Sequence, residues 1–252
     1  MPPAYKPVPA VEKCFAILDL LSKVDKPLGI SDISRKLALN KSTVFNMVYT
    51  LIDLDVLEGM DDGKFGFGPR FYVLGSAAGN RSELIRVSHP YLEKLNYETK
   101  LSAFLGIRAD LRSVIIDKVD SAHGIKISSE IGMQMPVLAG AGIKAMLSLL
   151  SNRDLDTLIN GVSFKRYTPN TIVEKDAYLT EINNVRQEGI AFDREEYIEG
   201  MVALGIPINT SSRNVQAAIW LVGLKQQVAQ ETMQRLTPLL KGVSEEINQR
   251  LH

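Results

Sequence analysis

Lys41, Ser42, Thr43, Phe45, Asn46 and Tyr49 crowd into one short stretch, LNKSTVFNMVYTL. At about 100° per residue a helix puts Val44, Met47, Val48 and Leu51 on one side. Ser42, Phe45, Asn46 and Tyr49 then point the other way. This outward set suits a DNA groove. Ser42 and Asn46 can hydrogen-bond base edges or phosphates, and Phe45 can meet a thymine methyl. The Tyr49 hydroxyl can reach a phosphate, as can Lys41, Thr43 and the helix start. The plain alternative is a surface helix with two stray aromatics, which needs no function.

A second group is Ala139, Gly140, Ala141 and Gly142, followed by IKAM. It reads as a small-residue loop entering a helix. Small residues let a ligand approach the backbone, and free N–H groups attract an anion. The plain reading is a tight turn. A third group, Asp193, Arg194, Glu195 and Glu196, could hold acid/base carboxylates, but such a run more often forms a solvated face or a helix start. His89, His123 and His252 are scattered, and Cys14 is the one cysteine. No metal-ligand spacing emerges, and no disulfide can form within the chain. No nucleophile elbow, Walker loop or dinucleotide fingerprint is present. The expectation is no enzyme, no catalytic residue, no metal and no cofactor.

The first group needs elements to hold it. VEKCFAILDLL places Val11, Cys14, Phe15, Leu18 and Leu21 at helical spacing. In GISDISRKLAL, Gly29 starts a short helix with Ile33 and Leu37 on its buried face. Residues 38–40 then turn into the helix capped by Asn40. Helix, short helix, tight turn, helix is the order of a helix-turn-helix. Asp62-Gly63 is a hairpin signal between short strands at 56–60 and 64–67. The whole is a winged helix. Its charges balance, nine basic against nine acidic over residues 1–75, although Arg35, Lys36 and Lys41 cluster near the turn. One copy should therefore hold DNA weakly, so an assembly of copies is expected.

Beyond it, Phe71, Tyr72 and Leu74 suggest a short helix, and 75–80 a small, flexible stretch. A helix over 82–97 carries Leu84, Val87, Tyr91, Leu92 and Leu95 on one face. From Leu101 strands are expected around a turn at Ala109-Asp110, and again at 124–132, 202–209 and 214–224. Helices are expected at 143–150 and 178–189. The tail from Lys225 is helical, with Pro238 kinking or splitting it. This is an α+β chain: a winged helix-turn-helix at 1–75, a helical connector at 76–97, and a mostly antiparallel sheet with flanking helices at 98–252. Composition is ordinary, 45% hydrophobic and 23% charged with zero formal net charge. No apolar run spans a bilayer and no signal peptide opens the chain, so a cytoplasmic protein without membrane contact is expected.

The chain resembles the IclR-type bacterial transcriptional regulators over nearly its whole length. The resemblance rests on VEKCFAILDLL, ISDISRKLALNKSTVFNMVYTL and FGFGPRFYVLG, then on DKVDS, residues 136–145 with Lys144, and EGIAFDREEYIEGMVALGIPI. It implies a GAF-like effector-binding second domain, homodimers that often pair into homotetramers, double-stranded operator DNA as a partner, and control of a catabolic operon by a small-molecule effector. Ala141 and Gly142 match positions whose backbone binds an effector carboxylate. Asp193 matches a polar pocket position. Ile127, Met135, Met201 and Ala203 match the pocket wall. The family often has Cys where Ala203 stands, and members that bind small oxo acids have serines at the places of Trp220 and Val222. An organic acid with an apolar or aromatic body is the expected effector. In AAIWLVGL alternation puts Trp220 and Val222 on one side of a strand and Ile219 and Leu221 on the other. The alternative class is a metabolite-binding protein or enzyme that uses its winged helix for protein contacts.

Overall fold

The computed structural model describes residues 5–24, 26–80, 82–121, 129–210, 215–228 and 230–251. The chain divides into two compact units, Met1–Arg81 and Ser82–His252.

In the first unit α1 (Pro9–Ser22) opens on a proline, whose fixed φ and missing N–H suit a helix's first turn. Strand β1 (Leu28–Gly29) leads into α2 (Ile30–Leu37), capped by Gly29. Ala38 ends α2 in the left-handed region at φ 52°, and α3 (Lys41–Asp53) starts after Asn40. Strands β2 (Leu57–Gly59) and β3 (Lys64–Phe67) pair antiparallel about Gly63, φ 70°, and β1 completes a three-stranded sheet. Ile17, Leu18, Leu21, Ile33, Val44, Val48, Leu51, Leu57 and Phe65 fill one core. The winged helix is thus present.

Three expectations for this unit change. Val11 and Phe15 are exposed, because the buried stripe of α1 runs through Ile17, Leu18 and Leu21. Residues 71–80 do not divide into a short helix and a flexible stretch: one helix, α4 (Pro69–Asn80), runs through Gly75 and Gly79. Two glycines cost a helix only about 1 kcal/mol each, and a proline at its first position favours the start. Neither the two-residue β1 nor its pairing to β3 was expected.

In the second unit Ser82 caps α5 (Glu83–Thr99), its hydroxyl accepting from the Ile85 N–H. Then come β4 (Ser102–Ala109), β5 (Arg112–Val119), α6 (Ala141–Leu147), α7 (Asn152–Ile159), α8 (Lys175–Glu188), β6 (Ala191–Arg194), β7 (Met201–Ile208), β8 (Ala217–Leu224) and α9 (Gln230–Leu251). The sheet is antiparallel in the order β5-β4-β8-β7-β6. Strand alternation divides its side chains between two layers. Leu105, Leu204, Ile206, Ile219 and Leu221 pack with Leu92, Leu95, Leu240, Val243 and Ile247 of α5 and α9. Phe104, Ile115, Ala203, Ala218 and Trp220 face α6 and Val185 of α8 on the other side. The mixed helix-and-sheet class is as expected.

Here too the sequence reading needs correction. Of the two outcomes expected at Pro238, the split does not occur: α9 is one helix through it. α7 was missed, although Ser151 caps it by accepting from the Asp154 N–H, the spacing of a capping box. β6 was missed as well, being only four residues long. Of the strand expected at 124–132, residues 124–128 lie outside the described residues, and 129–132 are not strand but lead into a turn at 131–132.

Candidate functional site

In the first unit the outward face of α3 is as the spacing implied. Val44, Val48 and Leu51 are buried, and Lys41, Ser42, Phe45, Asn46 and Tyr49 are exposed, with Thr43 half-buried. Phe45 and Tyr49 sit with ring centroids 4.4 Å apart, and Tyr49 also meets Phe65 of the wing edge-on at 6.3 Å. The two rings thus stiffen each other on an otherwise solvated surface. Asn40 holds the cap position without a side-chain capping bond. Arg35 is exposed and pairs with Asp32 one helical turn back, at 2.5 Å. A phosphate would compete with that exposed pair, which is worth little on its own.

In the second unit a cavity of about 220 Å³ opens between the sheet and the start of α6. Met135, Ala141, Gly142, Asp193, Met201, Ala203, Trp220 and Val222 all line it. Ile127, also named from the sequence, lies outside the described residues. Register explains the grouping. Asp193, Ala203, Val222 and Ser102 form one cross-strand row over β6, β7, β8 and β4. Gly205, Trp220 and Phe104 form the next row but one. Side chains of alternate rows share a face, so Trp220 and Val222 stand on one wall.

Trp220 is only 3% exposed and stacks on Phe104, with centroids 5.8 Å apart. Its benzo edge lies where a Cβ on Gly142 would come within 2.8 Å, and one on Gly106 within 2.6 Å. The indole is therefore clamped as core while it also lines the cavity. Sequence reading missed Phe104, Ser113, Ile115, Ser129, Met133, Tyr197 and Ile198 as lining residues. Alternation along β4 and β5 could have flagged Phe104 and Ile115, but the loop residues 129 and 133 carry no periodic signal.

The run 193–196 is neither a solvated face nor a helix start. Asp193 and Glu196 are both buried. The Asp193 Oδ1 accepts from the Glu196 N–H at 2.7 Å. Glu196 reaches Lys144, which is fully buried: Nζ donates to Glu196 Oε1 at 2.7 Å and to Glu181 Oε1 at 3.2 Å. Thr168 and Thr171 donate hydroxyl bonds to the carbonyls of Glu195 and Glu196 at 2.7 and 2.6 Å. Glu195 turns out to an ion pair with Lys225. This lattice fixes the loop after β6 against α6 and α8. One signal for it was readable: Lys144 is the lone charge in AGIKAML, every residue of which is buried, and a buried charge needs a partner. Burial, then the nearby Glu196, pushes the Asp193 carboxyl up to about 6, with Lys144 pulling the other way. Burial chiefly raises the Tyr178 phenol well above its usual range.

Outside this cavity, His89 Nδ1 is 2.8 Å from Asp117 Oδ2 and ties α5 to β5. No group of three or more metal-ligating side chains occurs among the described residues, and no described helix is long and apolar enough to cross a membrane.

Residues 76–249 match the family described as bacterial transcriptional regulator IclR C-terminal, and residues 10–59 match the IclR helix-turn-helix domain. The HTH-type transcriptional regulator KdgR of Escherichia coli K12 is 27% identical over 242 residues, 96% of this chain and 92% of KdgR. An IclR-type transcriptional regulator from Alicyclobacillus acidocaldarius shares the fold with TM-score 0.81 at 22% identity, covering 98% of this chain and 100% of that one. An IclR homolog from Microbacterium hydrocarbonoxydans, complexed with 4-hydroxybenzoate, does so with TM-score 0.73 at 19% identity, covering 96% and 98%. KdgR carries the name of a transcriptional regulator and not of an enzyme. Matched in order across both units, this chain belongs to the IclR family of bacterial transcriptional regulators, with a DNA-binding helix-turn-helix domain followed by a ligand-binding domain.

Proposed function

We propose that this regulator controls a catabolic operon in response to a small organic acid with an apolar or aromatic body, bound in the cavity of the second unit. The cavity is the observation that carries the reading. Its walls are Met135, Met201, Phe104, Trp220 and Val222, with Asp193 and the small residues Ala141 and Gly142 at one end. Apolar walls with a few convergent polar groups are the usual form of a small-molecule site. The effector's body lies along Trp220 and the methionines, and its polar head meets the Ala141 and Gly142 backbone beside Asp193. An indole where a hydroxyl could stand favours larger, less polar acids over short oxo acids.

On DNA, α3 enters the major groove. Ser42 and Asn46 read base edges, Phe45 meets a thymine methyl, and Arg35, Lys41, Thr43 and Tyr49 hold phosphates. The working copy is a homodimer or homotetramer on a pseudo-palindrome, with half-sites about 34 Å or a multiple apart. The reader's balanced charge supports this, as one copy gains little from phosphates. So do the exposed Tyr72, Val73 and Leu74 of α4, an apolar stretch suited to α4 of a second copy. In this reading residues 1–75 are the reader, 76–97 the connector and 98–252 the sensor, and the protein acts in the cytoplasm.

Trp220 is the only tryptophan, so its emission reports the cavity. Titrations with benzoate, 4-hydroxybenzoate and phenylacetate should change that emission at lower concentrations than pyruvate or glyoxylate. Tighter binding of the short oxo acids would overturn the effector class.

A further inference from the structure

The charges around the cavity bear on how an acid can bind there, given the effector class just proposed. Among the described residues that line the cavity there is no lysine, arginine or histidine. Asp193 is the one carboxylic acid, and Tyr197 supplies a phenol. Asp193 Oδ1 is taken by the Glu196 N–H, whereas Oδ2 lies 3.9 Å from where a Cβ on Gly140 would stand, at the entry to α6. The acid's second oxygen thus faces the end of the cavity where the effector's head is placed.

Among the described residues the cations of the neighbouring elements are already engaged: on β5, Arg112 donates to the Met135 carbonyl at 3.3 Å, and Lys118 pairs with Asp120 and Glu130. α6 brings Lys144, but its Nζ is held between Glu196 of the loop after β6 and Glu181 of α8. Glu195 of the same loop is paired with Lys225. β7 places Ala203 beside Asp193. Tyr197, the Tyr167 ring edge-on to it at 5.4 Å and the buried Tyr178 are further titratable groups nearby among the described residues. Asp193, Glu196 and Glu181 together carry more negative charge than Lys144 offsets. A ligand carboxylate would add to it in a site screened from water. Two carboxyl groups in such a site share one proton rather than both ionise.

We propose that the effector acid is bound together with one proton, held between its carboxyl group and that of Asp193. The protein draws this proton from solvent, and no covalent bond forms or breaks. The free Asp193 carboxyl, raised to about 6 by burial and by Glu196, takes up that proton more readily than an ordinary carboxylate. Above that pH both free partners are ionised, so binding takes up one proton and the association constant falls about tenfold for each pH unit. Below about pH 6 Asp193 is protonated before the acid arrives, and the dependence levels off. The regulator would then answer to an acid and to acidification jointly.

Calorimetry on the full-length protein tests this without any variant. The tightest binder among benzoate, 4-hydroxybenzoate and phenylacetate is titrated at pH 7.5 in phosphate and in Tris, whose ionisation heats differ. The expected difference corresponds to about one proton taken up, with about tenfold weaker binding at pH 8.5 than at 7.5. The corresponding neutral amide should bind with no uptake. In Asp193→Asn the uptake should vanish and the pH profile flatten. Acid binding with no uptake overturns the shared proton and leaves the effector class standing. Uptake that persists in Asp193→Asn overturns the assignment to Asp193. Failure of all three acids to bind at any pH between 5.5 and 8.5, while their amides bind, removes the acid effector itself and the inference with it.

Discussion

Replacing Asp193 by asparagine should make the second unit more stable at neutral pH, and the gain can be estimated from the site. The carboxyl is lifted from 3.8 to about 6, first by burial and then by Glu196. At about 1.4 kcal/mol per tenfold change in a proton equilibrium, this amounts to about 3 kcal/mol. The sign follows from which state binds the proton. Between the two values the folded protein holds a proton that the unfolded chain has released, so stability falls as pH rises. The stabilisation is fully present below about 3.8 and lost once pH passes about 6. Asparagine cannot ionise, and its Oδ1 can still accept from the Glu196 N–H. The stability difference, variant minus wild type, should therefore grow by about 3 kcal/mol between pH 4 and pH 7.5. Urea unfolding followed by Trp220 emission reads it, because the only tryptophan lies in this unit. A difference that stays flat with pH, or that favours the wild type more strongly at pH 7.5, would refute the reasoning.

Asn46→Ala should weaken operator binding by about 1–3 kcal/mol and leave random DNA nearly unchanged, whereas Lys41→Ala should weaken both and flatten the salt dependence in fluorescence anisotropy. An equal loss on both DNAs for Asn46→Ala would remove its base-reading role. Gly142→Ala drives a Cβ to 2.8 Å from the Trp220 ring; overpacking of this kind costs about 1–3 kcal/mol, and Trp220→Leu in the same chain should recover part of the loss in denaturant midpoint. Lys144→Met strands Glu181 and Glu196 around an empty partner site and should cost about 3–5 kcal/mol. Adding Glu196→Gln should restore some of it, and strict additivity of the two changes would show that the ion pairs are uncoupled.

Periodicity carried most of the fold. The apolar spacing of α3 and its small neighbours placed a reader helix, and alternation in AAIWLVGL separated Trp220 and Val222 from Ile219 and Leu221, as the two layers of the sheet bear out. Local signals fail where packing decides. Val11 and Phe15 fit a helical stripe, yet the first core closes around Ile17, Leu18 and Leu21 without them. α4 continues through two glycines that looked like a break. The residues round the cavity were named largely through family resemblance, since Met135, Asp193 and Ala203 come together only by strand register and a loop crossing. Lys144 with Glu181 and Glu196 stayed hidden for the same reason. Its members lie on α6, α8 and the loop after β6, and no spacing along the chain joins them.

The proposed function requires that one molecule couple a ligand in its second unit to DNA on its first. An effector shifts DNA affinity only by its differential affinity for the DNA-bound and free states, and the coupling is reciprocal. The direct measurement is a pair of titrations on the full-length protein: operator DNA with and without saturating effector, and effector with and without saturating operator. Both affinities should change, by the same factor. Effector affinity that is identical with and without operator, alongside operator affinity that ignores the effector, would contradict it.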